Sequence, residues 1–219
     1  MYFPSIVYDN FFDDPDYIRE YALSLDYPQS DPSYPGVRSK MLQEINPNLH
    51  SFIVNRLMGV FYDTREESQW RSYQWWCSMY FQKVDGNKYG EGWVHRDEAV
   101  KYTSIIYLNQ KPNSNSGTSI FEAPDGTSLI NTDAKEKYIK GEIDRETHDL
   151  KMYENNKQFE EVIKFKNKYN RLVAFEGNKY HAANEFQEIE DNEERLTLVI
   201  FLHNILVEKY PLQRSRLQG

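Results

Sequence analysis

Apolar residues recur at helical spacing in the first third of the chain and at alternate positions after it. Asp14-Pro15-Asp16 reads as a helix start, with Asp14 as cap and Pro15 at the first helical position. Ile18, Ala22 and Leu25, with Tyr17 and Tyr21, then form one apolar face. Asn46-Pro47-Asn48 opens a second helix, whose apolar face is Leu49, Phe52, Ile53, Leu57 and Val60. A short strand is expected over Ile6 to Phe12. Tyr27 to Gly36 holds three prolines and reads as a loop leading into Val37-Arg38.

From Trp70 the period changes to that of strands. Trp70 to Lys83 alternates aromatic and polar residues and ends at the turn signal Asp85-Gly86-Asn87. Further strands are expected at Tyr102 to Leu108, Gly117 to Glu122, Phe159 to Phe165 and Leu172 to Phe175. His181 to Phe186 and Leu196 to Leu202 read as partners across the polar turn Gln187 to Glu194. Asn131 to Asn156 is rich in charge and poor in large aliphatics, and reads as a surface insertion with helical turns. Many short strands closing on themselves describe a mainly β protein with a jelly-roll core, or double-stranded β-helix. The N-terminal helices are expected on its outer sheet. We read one domain over 1–219, with helical support in 1–69, the core in 70–207 and the insertion near 131–156.

Composition narrows the functional classes. Aromatics make up 15% of the 219 residues, with 17 Tyr, which suits aromatic-lined walls in a β-rich body. The net charge of −8 disfavours a general nucleic-acid-binding role. Cys77, the single cysteine, excludes an intrachain disulfide and a cysteine-based zinc site, and reads as a buried thiol. No apolar run approaches the ~18 residues of a membrane span, and the start of the chain has no signal-peptide pattern. The cytoplasm is the expected location.

The chemistry gathers around His95-Arg96-Asp97, in the run Gly92-Trp93-Val94-His95-Arg96-Asp97. After it come Asn170-Arg171-Leu172-Val173-Ala174-Phe175, then Tyr180-His181-Ala182, then Arg195-Leu196-Thr197. This ordered set resembles the Fe(II)- and 2-oxoglutarate-dependent oxygenases, especially the small prolyl-hydroxylase-like members of bacteria and phages. The resemblance covers most of Trp75 to Phe201, apart from the insertion. It implies that His95, Asp97 and His181 hold Fe(II) as two imidazoles and one carboxylate, with positions left open for co-substrate and oxygen. On a strand, His95 and Asp97 would aim at one point. The resemblance also implies that Arg195 and Thr197 bind the far carboxylate of 2-oxoglutarate, Arg by its planar fork. The polar turn after His181 would absorb a longer spacing than relatives show. Tyr80 stands where relatives often carry a co-substrate-binding Tyr.

The implied activity is a dioxygenase that hydroxylates a C–H bond of a peptidyl proline, amino acid or other small substrate. It would use molecular oxygen, with ascorbate as a reductant, and a phage origin would place it in the host cytoplasm. Asp97 points away from halogenation, since halogenating relatives usually replace this carboxylate with a small residue. The alternative is a cupin-like metal-binding jelly-roll protein, or a metalloenzyme that does not use 2-oxoglutarate.

Plainer roles compete for several of these residues. Arg195 suits a rim ion pair with Glu193 or Glu185. His50 and His148 read as surface residues, His203 as structural, Arg38 as a solvated loop residue with contact to substrate in the cleft as its alternative, and Asn109 and Asn170 as turn formers. Trp93, two residues before His95, is the tryptophan best placed to line a pocket. The insertion is placed to form a lid, and its deletion would be expected to spare iron binding.

Overall fold

The computed structural model describes residues 3–28, 31, 34–62, 74–188 and 193–206. Residues 70–73 of the expected long strand, and 189–192 of the expected polar turn, lie outside that set.

Both expected helices form, for the expected reason. In α1 (Pro15–Leu23) the Tyr17 amide donates to Asp14 Oδ1 at 3.1 Å, and Ile18 and Ala22 are buried. In α3 (Pro47–Phe61) the Leu49 amide donates to Asn46 Oδ1 at 3.0 Å. A one-turn helix α2 (Leu42–Ile45) precedes it. The buried face of α3 is Leu49, Ile53, Val54, Leu57, Met58 and Phe61. Phe52, expected on that face, is exposed. At roughly 100° per residue the buried set fills one half of the helix, and Phe52 falls on the other.

Among the described residues, nine strands form two antiparallel sheets. The larger contains β1 (Ile6–Tyr8), β2 (Val37–Arg38), β3 (Gln74–Val84), β4 (Tyr102–Tyr107), β7 (Leu172–Phe175) and β9 (Arg195–Leu206), in the order β1-β7-β4-β9-β3-β2. The smaller contains β5 (Thr118–Glu122), β6 (Glu160–Phe165) and β8 (Tyr180–Ala183), in the order β6-β5-β8. This is the expected jelly roll with helices on the outer sheet.

Strand alternation divides the large sheet between two tasks. One face of β9 gives Leu196, Leu198, Ile200 and Leu202 to the main core, with Met79 and Phe81 of β3, Ile53 and Leu57 of α3, and Ile18 of α1. The other face gives Arg195, Thr197, Val199 and Phe201 to a cleft between the sheets. Cys77 is buried on the helix side, and burial pushes its thiol pKa up to about 12, so it is an inert core residue as expected.

One expected pairing is wrong. The His181 strand and the Arg195 strand are not a hairpin. Strand β8 pairs with β5 in the small sheet, placing Ile120 opposite His181, while β9 pairs with β3 and β4 in the large one. A strand that alternates core residues with cleft residues is satisfied at the centre of the large sheet, so the chain crosses between sheets there. Glu188, in the intervening segment, is buried and accepts from Ser116 Oγ (2.7 Å) and the Asn113 amide (2.9 Å).

The insertion forms α4 (Ala134–Ile139) and α5 (Arg145–Asn156). It is more deeply docked than its composition suggests, since His148, Met152 and Asn155 are buried.

Candidate metal centre and co-substrate cleft

His95 and Asp97 lie on an extended loop that touches β8, not on a strand of their own. A single antiparallel bridge joins His95 to His181. The His95 amide donates to the His181 carbonyl at 3.0 Å and the reverse bond is 2.9 Å. The Asp97 amide donates to the Gly177 carbonyl at 2.9 Å. These backbone bonds bring His181 against His95 and Asp97, which lie at least 84 residues earlier in the chain. One potential ligand atom from each of His95, Asp97 and His181 lies within 4.8 Å of the others.

The imidazoles are oriented as metal ligands need to be. His95 Nδ1 lies 2.7 Å from the Trp93 carbonyl, and His181 Nδ1 lies 2.9 Å from the Lys179 carbonyl. A carbonyl can only accept, so each Nδ1 carries the proton and each Nε2 presents a lone pair. His181 Nε2 is 3.3 Å from Asp97 Oδ2, and His95 Nε2 is 3.7 Å from Asp97 Oδ1. Burial alone would raise the Asp97 carboxyl, but His181, His95 and the Thr103 hydroxyl hold it well below the usual carboxylate range. Thr103 Oγ1 donates to Asp97 Oδ2 at 2.5 Å. His95 opens onto the cleft, yet desolvation by surrounding protein, then its neighbour His181, draws its pKa down to about 4. With each Nδ1 turned to a backbone carbonyl, the cluster offers two imidazole Nε2 atoms and one carboxylate, a donor set that suits a divalent transition metal.

The cluster opens into a cleft of about 630 Å³ that also receives Arg195, Thr197, Tyr80, Arg38 and Trp93. Arg195 is buried, and its Nε donates to the Ser116 carbonyl at 2.8 Å. Its guanidinium carbon lies 5.4 Å from the Tyr107 ring and 5.6 Å from the Phe186 ring. Arg195 Nη2 and Thr197 Oγ1 are both buried without a hydrogen-bond partner among the described residues. A buried polar atom left unpaired costs about 1–3 kcal/mol. Both residues line the cleft from one strand, so each leaves a free donor beside it. The rim ion pair is absent: Glu193 pairs with Arg19 at 3.4 Å, and Glu185 accepts from Asn113 Nδ2 at 2.6 Å. Tyr80 pairs with Val199, so it stands next to the Thr197 end of the cleft face, with its ring 5.5 Å from the Arg38 guanidinium.

Several contributors escaped the sequence reading. Thr103 holds Asp97, and Ser116 holds Arg195. Asn109, expected to form a turn, accepts from the Leu196 amide at 2.7 Å and donates to the Glu194 carbonyl at 2.9 Å, fixing the start of β9. Asn170, with a positive φ of 60°, does form a turn, and it also binds both the amide and carbonyl of Phe12. His148 is buried, not superficial: Trp93 Nε1 donates to its Nε2 at 3.2 Å, and its Nδ1 reaches Asp149 at 2.9 Å. His203 lines the cleft and bonds Ser78 at 2.8 Å. Arg38 lies in the cleft, not in solvent. None of these residues belongs to a short motif, so their partners could not be found from spacing.

A family model described as a family of unknown function, DUF6445, matches residues 3–202. No curated protein matches the chain. Among solved structures, EvdO2 from Micromonospora carbonacea var. aurantiaca is similar at 12% identity and a TM-score of 0.51, over 96% of this chain and 91% of that one. Its complex with 2-oxoglutarate gives 11% identity, a TM-score of 0.50 and the same coverage. HygX from Streptomyces hygroscopicus, with nickel and 2-oxoglutarate bound, is similar at 13% identity and a TM-score of 0.49, over 90% of this chain and 82% of that one. An oxidoreductase of the 2OG-Fe(II) oxygenase family from Burkholderia pseudomallei gives 12% identity and a TM-score of 0.46, over 94% and 87%. At these identities the EvdO2 match establishes a shared fold.

Proposed function

The chain belongs to the DUF6445 family, and from the chemistry of its cleft we propose that it is an Fe(II)- and 2-oxoglutarate-dependent dioxygenase that hydroxylates a C–H bond of a small-molecule or peptide substrate. The observation that carries this reading is the pair of unpaired buried atoms, Arg195 Nη2 and Thr197 Oγ1, in the same cleft as the His95, Asp97 and His181 cluster. These two atoms are donors that a carboxylate in the cleft would satisfy. The 2-oxoglutarate bound to EvdO2, which shares the fold, agrees with the proposal.

In this reading His95, Asp97 and His181 hold the metal through His95 Nε2, His181 Nε2 and an Asp97 oxygen. Arg195 and Thr197 bind the distal carboxylate of 2-oxoglutarate, and Tyr80 closes the side of that pocket. Iron with 2-oxoglutarate and oxygen supplies oxidative decarboxylation of the keto acid coupled to C–H oxidation. The protein supplies fixed geometry and an aromatic cleft that limits water. Peptidyl proline is one candidate substrate, and free amino acids are another.

The test is an anaerobic titration of the metal-free protein with Fe(II) and 2-oxoglutarate, watching the weak visible charge-transfer band of the chelate. A band that needs both and disappears in Asp97→Ala is the expected result. Metal binding with no band and no succinate would favour a jelly-roll metalloprotein that does not use 2-oxoglutarate.

A further inference from the structure

Resting on that reading of the cleft, we propose that the substrate carries an anionic group, a carboxylate or a phosphate, and that Arg38 and Lys135 bind it in the same cleft as the metal cluster.

Arg38 is placed there by its local fold. Gly36 has a φ of +72°, and a Cβ at that position would lie 2.0 Å from the Lys83 carbonyl, so only glycine allows this turn. The turn lays Val37 and Arg38 against Lys83 and Gln82 as the edge strand β2. The Arg38 guanidinium carbon then lies 4.0 Å from the Tyr34 ring, 5.4 Å from Phe201 and 5.5 Å from Tyr80. Its Nε reaches Gln82 Oε1 at 3.4 Å, and Gln82 is itself held by the Pro35 carbonyl at 2.7 Å. An aromatic box of this kind fixes the plane of a guanidinium and leaves its outer donors for a ligand.

Lys135 arrives from α4 of the insertion and lines the same cleft. Neither cation forms an ion pair among the described residues. Burial, then the nearby Arg38 charge, pulls Lys135 down to about 7. Asp31 attracts both cations and Asp97 attracts Arg38, yet neither carboxylate forms an ion pair with them among the described residues, so two largely desolvated cations lining one cleft keep their donors open to an anionic ligand. This is not the co-substrate end. Arg195 packs against Tyr107 and Phe186, whereas Arg38 packs on Tyr34 and on Phe201, six residues further along β9.

The experiment is ligand-observed NMR on the full chain, with excess 2-oxoglutarate present. The probes are phenylacetate and phenyl phosphate, against the neutral phenylacetamide and phenol. We expect one of the two anions to bind at least tenfold more tightly than its neutral partner, and which one does so identifies the group. Arg38→Gln and Lys135→Gln should each remove most of that preference, and Arg38→Lys should restore part of it. Equal binding of neutral and charged probes would overturn the proposal. So would a preference that vanishes in Arg195→Gln but survives in Arg38→Gln. Succinate release is measured separately. Its absence, with probe binding still dependent on Arg38 and Lys135, would remove the oxygenase reading and leave the anion site standing.

Discussion

Asn156 Oδ1 accepts a hydrogen bond from the Val94 amide at 2.8 Å, tying the last residue of the insertion's second helix to the residue before His95. Asn156 Nδ2 donates to the Gly92 carbonyl at 2.9 Å, and Asn155 Nδ2 donates to the Val94 carbonyl at 3.2 Å. The loop that carries His95 meets β8 through the His95–His181 bridge and the bond from the Gly92 amide to the Ala183 carbonyl (2.8 Å), and these side chains satisfy backbone groups between those two points. Asn156→Ala leaves two backbone groups without partners. We expect a loss of about 1–3 kcal/mol in stability and a weaker metal site, read by denaturant unfolding and by Co(II) titration.

The same contacts change what excision of the insertion should do. Removing 131–156 takes away every one of these bonds, together with His148, the partner of Trp93. Metal binding should fall along with substrate preference, in contrast to a lid that lifts off freely. A deletion variant that binds Co(II) as tightly as the full chain would show that the loop holds its shape alone.

In the proposed metal centre Thr103 acts through Asp97. Its hydroxyl fixes one carboxylate oxygen, and Thr103→Val keeps the shape while removing that bond. Partners of metal ligands are worth about 10–100-fold in affinity. We expect a loss in that range by Co(II) titration, with the fold unchanged by circular dichroism.

Arg195 should trade stability for binding. Its buried, half-paired guanidinium strains the ligand-free protein, so Arg195→Met should cost the apo protein no more than about 1 kcal/mol. Thermal stabilisation by 2-oxoglutarate should disappear in this variant, because a ligand stabilises only the state it binds. Full stabilisation in Arg195→Met would place the co-substrate carboxylate elsewhere.

Asp9 gives a pH-dependent contribution far from the cleft. Hydrogen bonds from Arg171, then Lys168, hold its carboxyl well below the usual range, which ties β1 to the turn before β7. A depressed carboxylate pKa adds stability above the unfolded value of about 3.9, and that stability is lost as pH falls below it. The pair is partly exposed, so screening limits the effect to about 0.5–1 kcal/mol at pH 7. Asp9→Asn should show that deficit at pH 7, shrinking as pH drops below about 4, by urea denaturation at each pH.

Local chemistry made much of this protein legible in its sequence. The caps Asp14 and Asn46 mark helix starts because a side chain three residues before a free amide can satisfy it. The alternation in Leu196 to Leu202 marks a strand with one apolar face because successive side chains point opposite ways. The order of His95, Asp97, His181, Arg195 and Thr197 pointed to one cleft. Pairing between distant segments was not legible. The His181 and Arg195 strands are neighbours in sequence and belong to different sheets, since strand partners are chosen by which face each must bury. The same holds for Arg38, Lys135, Thr103 and Asn156. Each is an ordinary polar residue in its own segment, and each gains its role from a backbone or charge brought to it from far along the chain. Sequence by itself determined the elements and the chemical set. Tertiary structure alone decided which polar groups would be buried together, because burial is a property of the packed sheets and not of any local pattern.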